Sequence, residues 1–236
     1  MQGKSESVSD TLGSRIRLER VLSGVSVREL ARRTGVSPSL ISQIERGRVM
    51  PSVGTLYAIA SELELSMDGL FTETRVTRSA AEVHSGAARV PSLVQPHDNR
   101  KAIGLSGGVR WERLTPTSDD EVEFLYVVYE VGGASCEKDS LIRHGGTEYG
   151  YVIAGQLGVT IGFEDFELGP GDSISFDSLM PHRLWTIGSE PASAIWVVMH
   201  RHGDPRRESD GSYQGDASVE PLPGPRTSGR TGPVRG

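Results

Sequence analysis

The 236-residue chain has a single cysteine, Cys136, no run approaching 18 consecutive apolar residues, and no overall surplus of positive charge. One cysteine cannot form an intramolecular disulfide, so nothing in the chain is adapted to an oxidising compartment and the cytoplasm is the expected location. The lack of long apolar runs argues against a membrane partner, and the polar start, MQGKSESVSD, lacks the apolar stretch of a secretory signal. No internal repeat is visible. A formal net charge of -6 argues against a nucleic-acid-binding surface spread over the whole molecule. The average conceals two unlike halves, however. Residues 12–71 hold eight Arg against six acidic residues, net +2, whereas residues 103–203 hold six Lys or Arg against fifteen acidic residues, net -9. The halves face different partners.

From Thr11 to Phe71 the apolar residues recur at helical spacing in short segments broken by Gly and Pro. Leu12, Ile16 and the stretch from Leu18 to Leu22 predict a first helix ending near Gly24. Ser26 is placed to N-cap a second helix, VRELARRT, that stops at Gly35. Ser37 is placed to cap a third, PSLISQIERG, with Pro38 in the first helical position and Gly47 just past the end. Ser52 opens a fourth helix reaching Leu63, and SMDGLF closes the unit. Within the second and third helices the spacing turns Leu30, Ala31, Val36, Leu40 and Ile44 inward and Ser39, Ser42, Gln43 and Arg46 outward.

Beyond residue 72 the periodicity lapses over a Pro-containing linker, then changes to short runs rich in Val, Ile, Tyr, Phe and Trp. Eight of them, from VRWERL to AIWVVM, read as strands of a sandwich or closed barrel. The final 33 residues, 204–236, contain six Gly and five Pro and little apolar material, a composition expected to stay disordered. The expected organisation is therefore a disordered start (1–10), a helical domain (11–72), a linker (73–102), a strand domain (103–203) and a disordered tail (204–236).

Two helices joined by a tight turn have the geometry to lay the second in a major groove roughly 12 Å wide. In VRELARRTGVSPSLISQIERG the outward Ser39, Ser42 and Gln43 are short polar groups suited to base edges, and Gln43 can bond adenine bidentately. Arg28, Arg32, Arg46 and Arg48 suit phosphate oxygens, contacts that give affinity but little sequence information. The residues resemble the phage-repressor and xenobiotic-response-element (XRE) type of helix-turn-helix, whose pattern over ELAxxxGVSxSxISxIExGxxxPSxxTLxxIA is matched at nearly every marked position. That resemblance implies a DNA-binding domain with Arg28, Ser37, Ser39, Ser42, Gln43, Arg46 and Arg48 at the DNA, and a structural ion pair between Arg20 and Glu45.

In RHGGTEYGYVIAG, His144 stands four residues before Glu148, and GPGDSISFDSLMPH later supplies His182. The spacing resembles the two signature motifs of the cupin jelly roll. Two positions depart from that pattern: Ile142 occupies the place of the first motif's leading His, and Thr186 that of a later Asn. What the resemblance implies is a set of His144, Glu148 and His182, two imidazoles and a carboxylate suited to ferrous iron and, less selectively, to other divalent metals. Two readings stay open: a divalent metal (Fe, Zn, Mn or Ni), or a metal-free pocket in which the imidazoles bond Glu148 or a ligand. Strand alternation sets Tyr149 and Tyr151 opposite Glu148, and Arg183 and Trp185 opposite His182.

The expected fold is thus an N-terminal all-α helix-turn-helix bundle followed by an all-β cupin jelly-roll barrel. Together they suggest a homodimeric transcriptional regulator that binds a pseudo-palindromic double-stranded DNA operator and senses a small-molecule effector. The competing expectation is an iron-dependent oxidase. The domain order and the reduced His-Glu-His set also resemble the hydroxypropylphosphonate epoxidases.

Overall fold

The computed structural model describes residues 8–65, 67–71, 93–119 and 121–199. The expected tail, most of the linker and the first seven residues lie outside these ranges. Four helices come first: α1 (Val8–Leu22), α2 (Val27–Thr34), α3 (Pro38–Glu45) and α4 (Val53–Glu62). Three of them start with a serine whose side chain accepts a backbone N–H three residues on: Ser26 from Glu29, Ser37 from Leu40 and Ser52 from Thr55. Each satisfies one of the donors that a helix start leaves unpaired. α2 ends at Gly35, whose φ of 71° is open to glycine at no steric cost.

The core of the bundle is narrower than the spacing suggests. In α1, Leu12, Ile16 and Arg20 are buried, but Leu18 is 40 % and Leu22 71 % exposed. In α3 the buried set is Ile41, Ile44 and Glu45, with Leu40, and Val36 just before the helix, only half-buried. Positions three and four apart stack on one face of a helix, and here that face is centred on Ile41 and Ile44. Gly13 lets α1 approach α3 closely, since a Cβ there would lie 2.2 Å from the Ile44 carbonyl oxygen. α1 begins at Val8, inside the segment that composition assigns to a disordered start.

Nine strands follow: β1 (Ala102–Leu105), β2 (Val109–Arg113), β3 (Val122–Tyr129), β4 (Thr147–Ala154), β5 (Gln156–Ile161), β6 (Glu164–Leu168), β7 (Ser173–Asp177), β8 (His182–Ile187) and β9 (Ala192–Met199). The additional strand, β1, is only AIGL and contains a glycine, so it carries no periodic signal. The strands form a six-stranded sheet, β1-β2-β3-β9-β4-β7, and a three-stranded sheet, β6-β5-β8, with every pairing antiparallel. β9 lies between β3 and β4, the crossing expected of a jelly roll. The two sheets stay separate and do not close into one hydrogen-bonded barrel. The chain passes from one sheet to the other at Gly155, where φ is 70° and a Cβ would lie 2.2 Å from the Pro191 carbonyl.

The helices and sheets share a buried surface. The Gly54 amide donates to the Ser135 carbonyl (3.2 Å) and the Ser106 amide to the Pro51 carbonyl (2.9 Å), so the start of α4 is tied by backbone bonds to the strand domain. None of the helices among the described residues is long and apolar enough to cross a membrane.

Candidate functional site

The outward face of α3 carries Ser39 and Arg46, both exposed, with Ser42 and Gln43 half-buried beside them. The Gln43 amide donates to the Ser39 hydroxyl at 3.3 Å, a weak bond that a base edge can replace. Arg28 and Arg48 flank this face and are exposed. Ser37 has a second duty as the helix cap. Arg32 is committed elsewhere: it donates twice to Glu29, at 3.0 and 2.7 Å, and Arg33 also donates to Glu29 at 2.8 Å. The two guanidiniums hold the Glu29 carboxyl well below its usual range, at about 2. Behind this outer face of α3, Arg20 grips Glu45 bidentately, Nε to Oε1 at 2.5 Å and Nη2 to Oε2 at 3.0 Å, and its Nη1 donates to the Val25 carbonyl at 2.7 Å. Both ends of the pair are buried, so α1 and α3 are joined by a desolvated, fully directed ion pair.

The second site lies in the strand domain. The structure brings together His144, just before β4, Glu148 on β4 and His182 at the start of β8, with their ligand atoms all within 4.8 Å of one another. All three are buried. The Nε2 atoms of His144 and His182 lie 3.1 and 3.2 Å from the same Glu148 oxygen, Oε1. Their other ring nitrogens face backbone carbonyls, His144 Nδ1 that of Gly145 at 3.0 Å and His182 Nδ1 that of Met180 at 2.9 Å. A carbonyl can only accept, so each Nδ1 carries a proton and each ring turns its Nε2 toward the carboxylate. Neither His144 Nε2 nor Glu148 Oε1 makes a hydrogen bond, so two buried polar atoms stand unsatisfied at the centre of the cluster.

Burial opposes ionisation of Glu148, but the two imidazoles and the Trp196 indole outweigh it and hold the carboxyl below its ordinary value. Burial pushes His182 down, more strongly than the Glu148 carboxylate raises it. Trp196 on β9 donates its Nε1–H to Glu148 Oε2 at 2.7 Å and so turns the other oxygen toward the histidines.

Such a cluster of converging ligand atoms fits a divalent cation. Two ligand atoms at right angles on a metal with bonds of about 2.1 Å lie about 3.0 Å apart, close to the separations found here. The Nδ1–H bonds to carbonyls are the outer contacts that orient metal-binding imidazoles. The two positions that depart from the cupin pattern add no ligand: Ile142 is a buried side chain, and the Thr186 hydroxyl donates to the Glu130 carbonyl at 2.5 Å.

Other polar and aromatic candidates point away. Arg183 donates to the Cys136 carbonyl at 3.1 Å and lies over the Trp185 ring. Tyr149 and Tyr151 are exposed on the face opposite Glu148. What the sequence conceals is the roof of the site. Tyr57 of α4 stacks on His144, with ring centroids 4.0 Å apart and planes 13° from parallel, and its hydroxyl donates to Glu123 Oε2 at 3.2 Å. In TLYAIA the tyrosine sits at helical spacing among apolar residues and reads as bundle core, so no local signal could have assigned it to the other domain.

Residues 16–70 match the family model described as "Helix-turn-helix", and residues 125–198 the one described as "Cupin domain". The HTH-type transcriptional regulator PuuR of Escherichia coli is 27 % identical over 190 residues, 80 % of this chain and 93 % of the relative. The crystal structure of an HTH_3 family transcriptional regulator from Vibrio cholerae superposes with a TM-score of 0.57 at 25 % identity, covering 81 % of this chain and 96 % of that one. Hydroxypropylphosphonic acid epoxidase from S. wedmorenis matches at 19 % identity with a TM-score of 0.38, covering 83 % of this chain and 100 % of that one, too slight a likeness to carry an activity. Residues 16–70 thus match a helix-turn-helix domain and residues 125–198 a cupin domain, in a chain similar over four-fifths of its length to an HTH-type transcriptional regulator.

Proposed function

We propose that the protein is a DNA-binding transcriptional regulator of the cytoplasm, with α3 as the reading helix and the cupin domain as a sensor. The observation that carries this reading is the outer face of α3. Among the described residues, Ser39, Ser42, Gln43 and Arg46 line it with no side-chain partner beyond the weak Gln43–Ser39 bond, flanked by exposed Arg28 and Arg48. Base-edge contacts come from the polar groups and phosphate contacts from the arginines. The acidic strand domain is repelled by a duplex, which confines binding to the helical end.

A homodimer fits the sheet's outer surface. Register aligns Phe124, Val197 and Tyr149 in one row across β3, β9 and β4, and Tyr126, Ile195 and Tyr151 in the next. Phe124, Tyr149 and Tyr151 are exposed there, an apolar patch suited to a second copy. A twofold pair would present two reading helices to half-sites about 34 Å apart, hence a pseudo-palindromic operator.

In the sensor, His144, Glu148 and His182 would hold a divalent metal. When bound, the ion would supply positive charge and open coordination positions for a ligand with lone pairs. The iron-oxidase reading ranks second, because α3 keeps a polar reading face for which an oxidase has no use. Titrating full-length protein into labelled genomic duplexes tests the primary reading: binding that weakens steeply with salt supports it, and absence of binding at low salt overturns it.

A further inference from the structure

The space beside the histidines is nearly filled. The cavity that reaches Glu148 and His182 is about 20 Å³, room for about one water-sized group. Its walls include Trp111, Leu125, Leu184 and Trp196 from the strands, but also Val53 and Tyr57 from α4. An ion fits in this space. An organic molecule does not, unless a wall leaves. The sheet walls are cross-bonded strands, and the loop residues Ser135 and Ile142 that complete them are tied by backbone bonds to Leu184 and His182 of β8, whereas α4 is held to the strand domain by the Gly54–Ser135 and Ser106–Pro51 backbone bonds, by the Tyr57 hydroxyl on Glu123 and by the Tyr57 ring against His144 and Trp111.

We propose that the effector site is shared between the two domains: an organic effector reaches His144, Glu148 and His182 only by displacing Tyr57, so effector occupancy and the docked position of α4 exclude each other. This rests on the sensor reading above and supplies its coupling. α4 belongs to the helical bundle that carries the reading helix: it packs on α2, which packs in turn on α3. A ligand that must move α4 binds the docked and undocked arrangements with different affinity, the condition for any linkage between two sites. The chemistry of the effector follows from what it replaces. It offers a flat face to the His144 imidazole and a hydrogen-bond donor to Glu123, as the tyrosine ring and hydroxyl do.

A reversible lock tests this. A Cβ at position 54 would lie 3.6 Å from the Cys136 Cβ, within the range that a disulfide spans. Full-length Gly54→Cys protein, free of metal, is treated with diethyl pyrocarbonate as the probe, and labelling of His144 and His182 is followed by peptide mass spectrometry against His97, outside the site. Oxidation, which fixes α4 in place, is expected to slow labelling of the two site histidines by about tenfold or more relative to the reduced sample. Dithiothreitol should restore the rate, and Tyr57→Ala should raise it above wild type while Tyr57→Phe stays close to wild type. Equal rates in both redox states overturn the proposal, as does failure of the introduced thiol to join Cys136. None of these readouts involves DNA or metal, so the gate can fail while the regulator reading stands, and the reverse.

Discussion

Tyr57 and His144 lie face to face, 4.0 Å between ring centroids, although one belongs to the helical bundle and the other to the sheet domain. Truncating the tyrosine removes a buried aromatic from both. Tyr57→Ala is expected to lower stability by about 3–5 kcal/mol. Tyr57→Phe, which keeps the ring and loses one hydrogen bond, should cost about 1 kcal/mol. Urea denaturation followed by circular dichroism checks the pair of values. Equal losses for the two variants would show that the ring stack contributes nothing.

The buried Arg20–Glu45 pair behaves differently from a surface ion pair. Arg20→Leu leaves the Glu45 carboxylate uncompensated and should cost about 3–5 kcal/mol, while the double change Arg20→Leu, Glu45→Leu should recover much of that loss. Thermal melts of the single and double variants decide it. An Arg20→Leu melt at the wild-type temperature would mean that water reaches Glu45 and that the pair is not structural.

In the proposed metal site, Trp196 acts through Glu148. Trp196→Phe removes the donor to Oε2 and frees the carboxylate to turn, so affinity for Zn(II) or Ni(II) should fall about 10- to 100-fold, the usual effect of losing an orienting group. Competition with a chromophoric chelator measures it. An unchanged affinity would mean that the three ligands hold their positions without the indole.

Two glycines in the strands are fixed by tryptophan rings. A Cβ at Gly158 would lie 2.2 Å from the Trp185 ring, and one at Gly150 2.1 Å from the Trp196 ring. Gly158→Ala is expected to destabilise by about 1–3 kcal/mol, with most of the loss relieved when Trp185 is replaced by Leu. Strictly additive losses in urea titrations would contradict the overlap.

At the DNA face the side chains should separate into two behaviours. Gln43→Ala should cost about 1–3 kcal/mol on the preferred sequence and little on others, relaxing specificity. Arg48→Ala should weaken all sequences alike and reduce the slope of affinity against salt by about 1. Fluorescence anisotropy at several salt concentrations distinguishes them.

Local rules made the helix starts and most strands readable. The three serine caps, Gly35 after α2, and the alternation that buries Glu148 but exposes Tyr149 depend on chain neighbours alone. The cluster of His144, Glu148 and His182 was readable only through the spacing of a known motif, because β4 and β8 meet across the fold. Three features were beyond reach for physical reasons. β1 is too short and too glycine-containing to show a period, and the inner face of α3 centres on Ile41, one position from Leu40, because the neighbouring helices fix its rotation. Tyr57 faces another domain, and nothing in the sequence around it records that contact.

The central claim is that the face made by Ser39, Ser42, Gln43 and Arg46 reads duplex DNA. Capture of sheared genomic DNA on the full-length protein, followed by sequencing, tests it across every available sequence at once. The account predicts enriched fragments sharing a two-armed, roughly palindromic motif, with the enrichment lost in a Gln43→Ala, Arg46→Ala variant that still folds. A folded wild-type protein that enriches no fragment, or a variant that enriches the same fragments as the wild type, would contradict it.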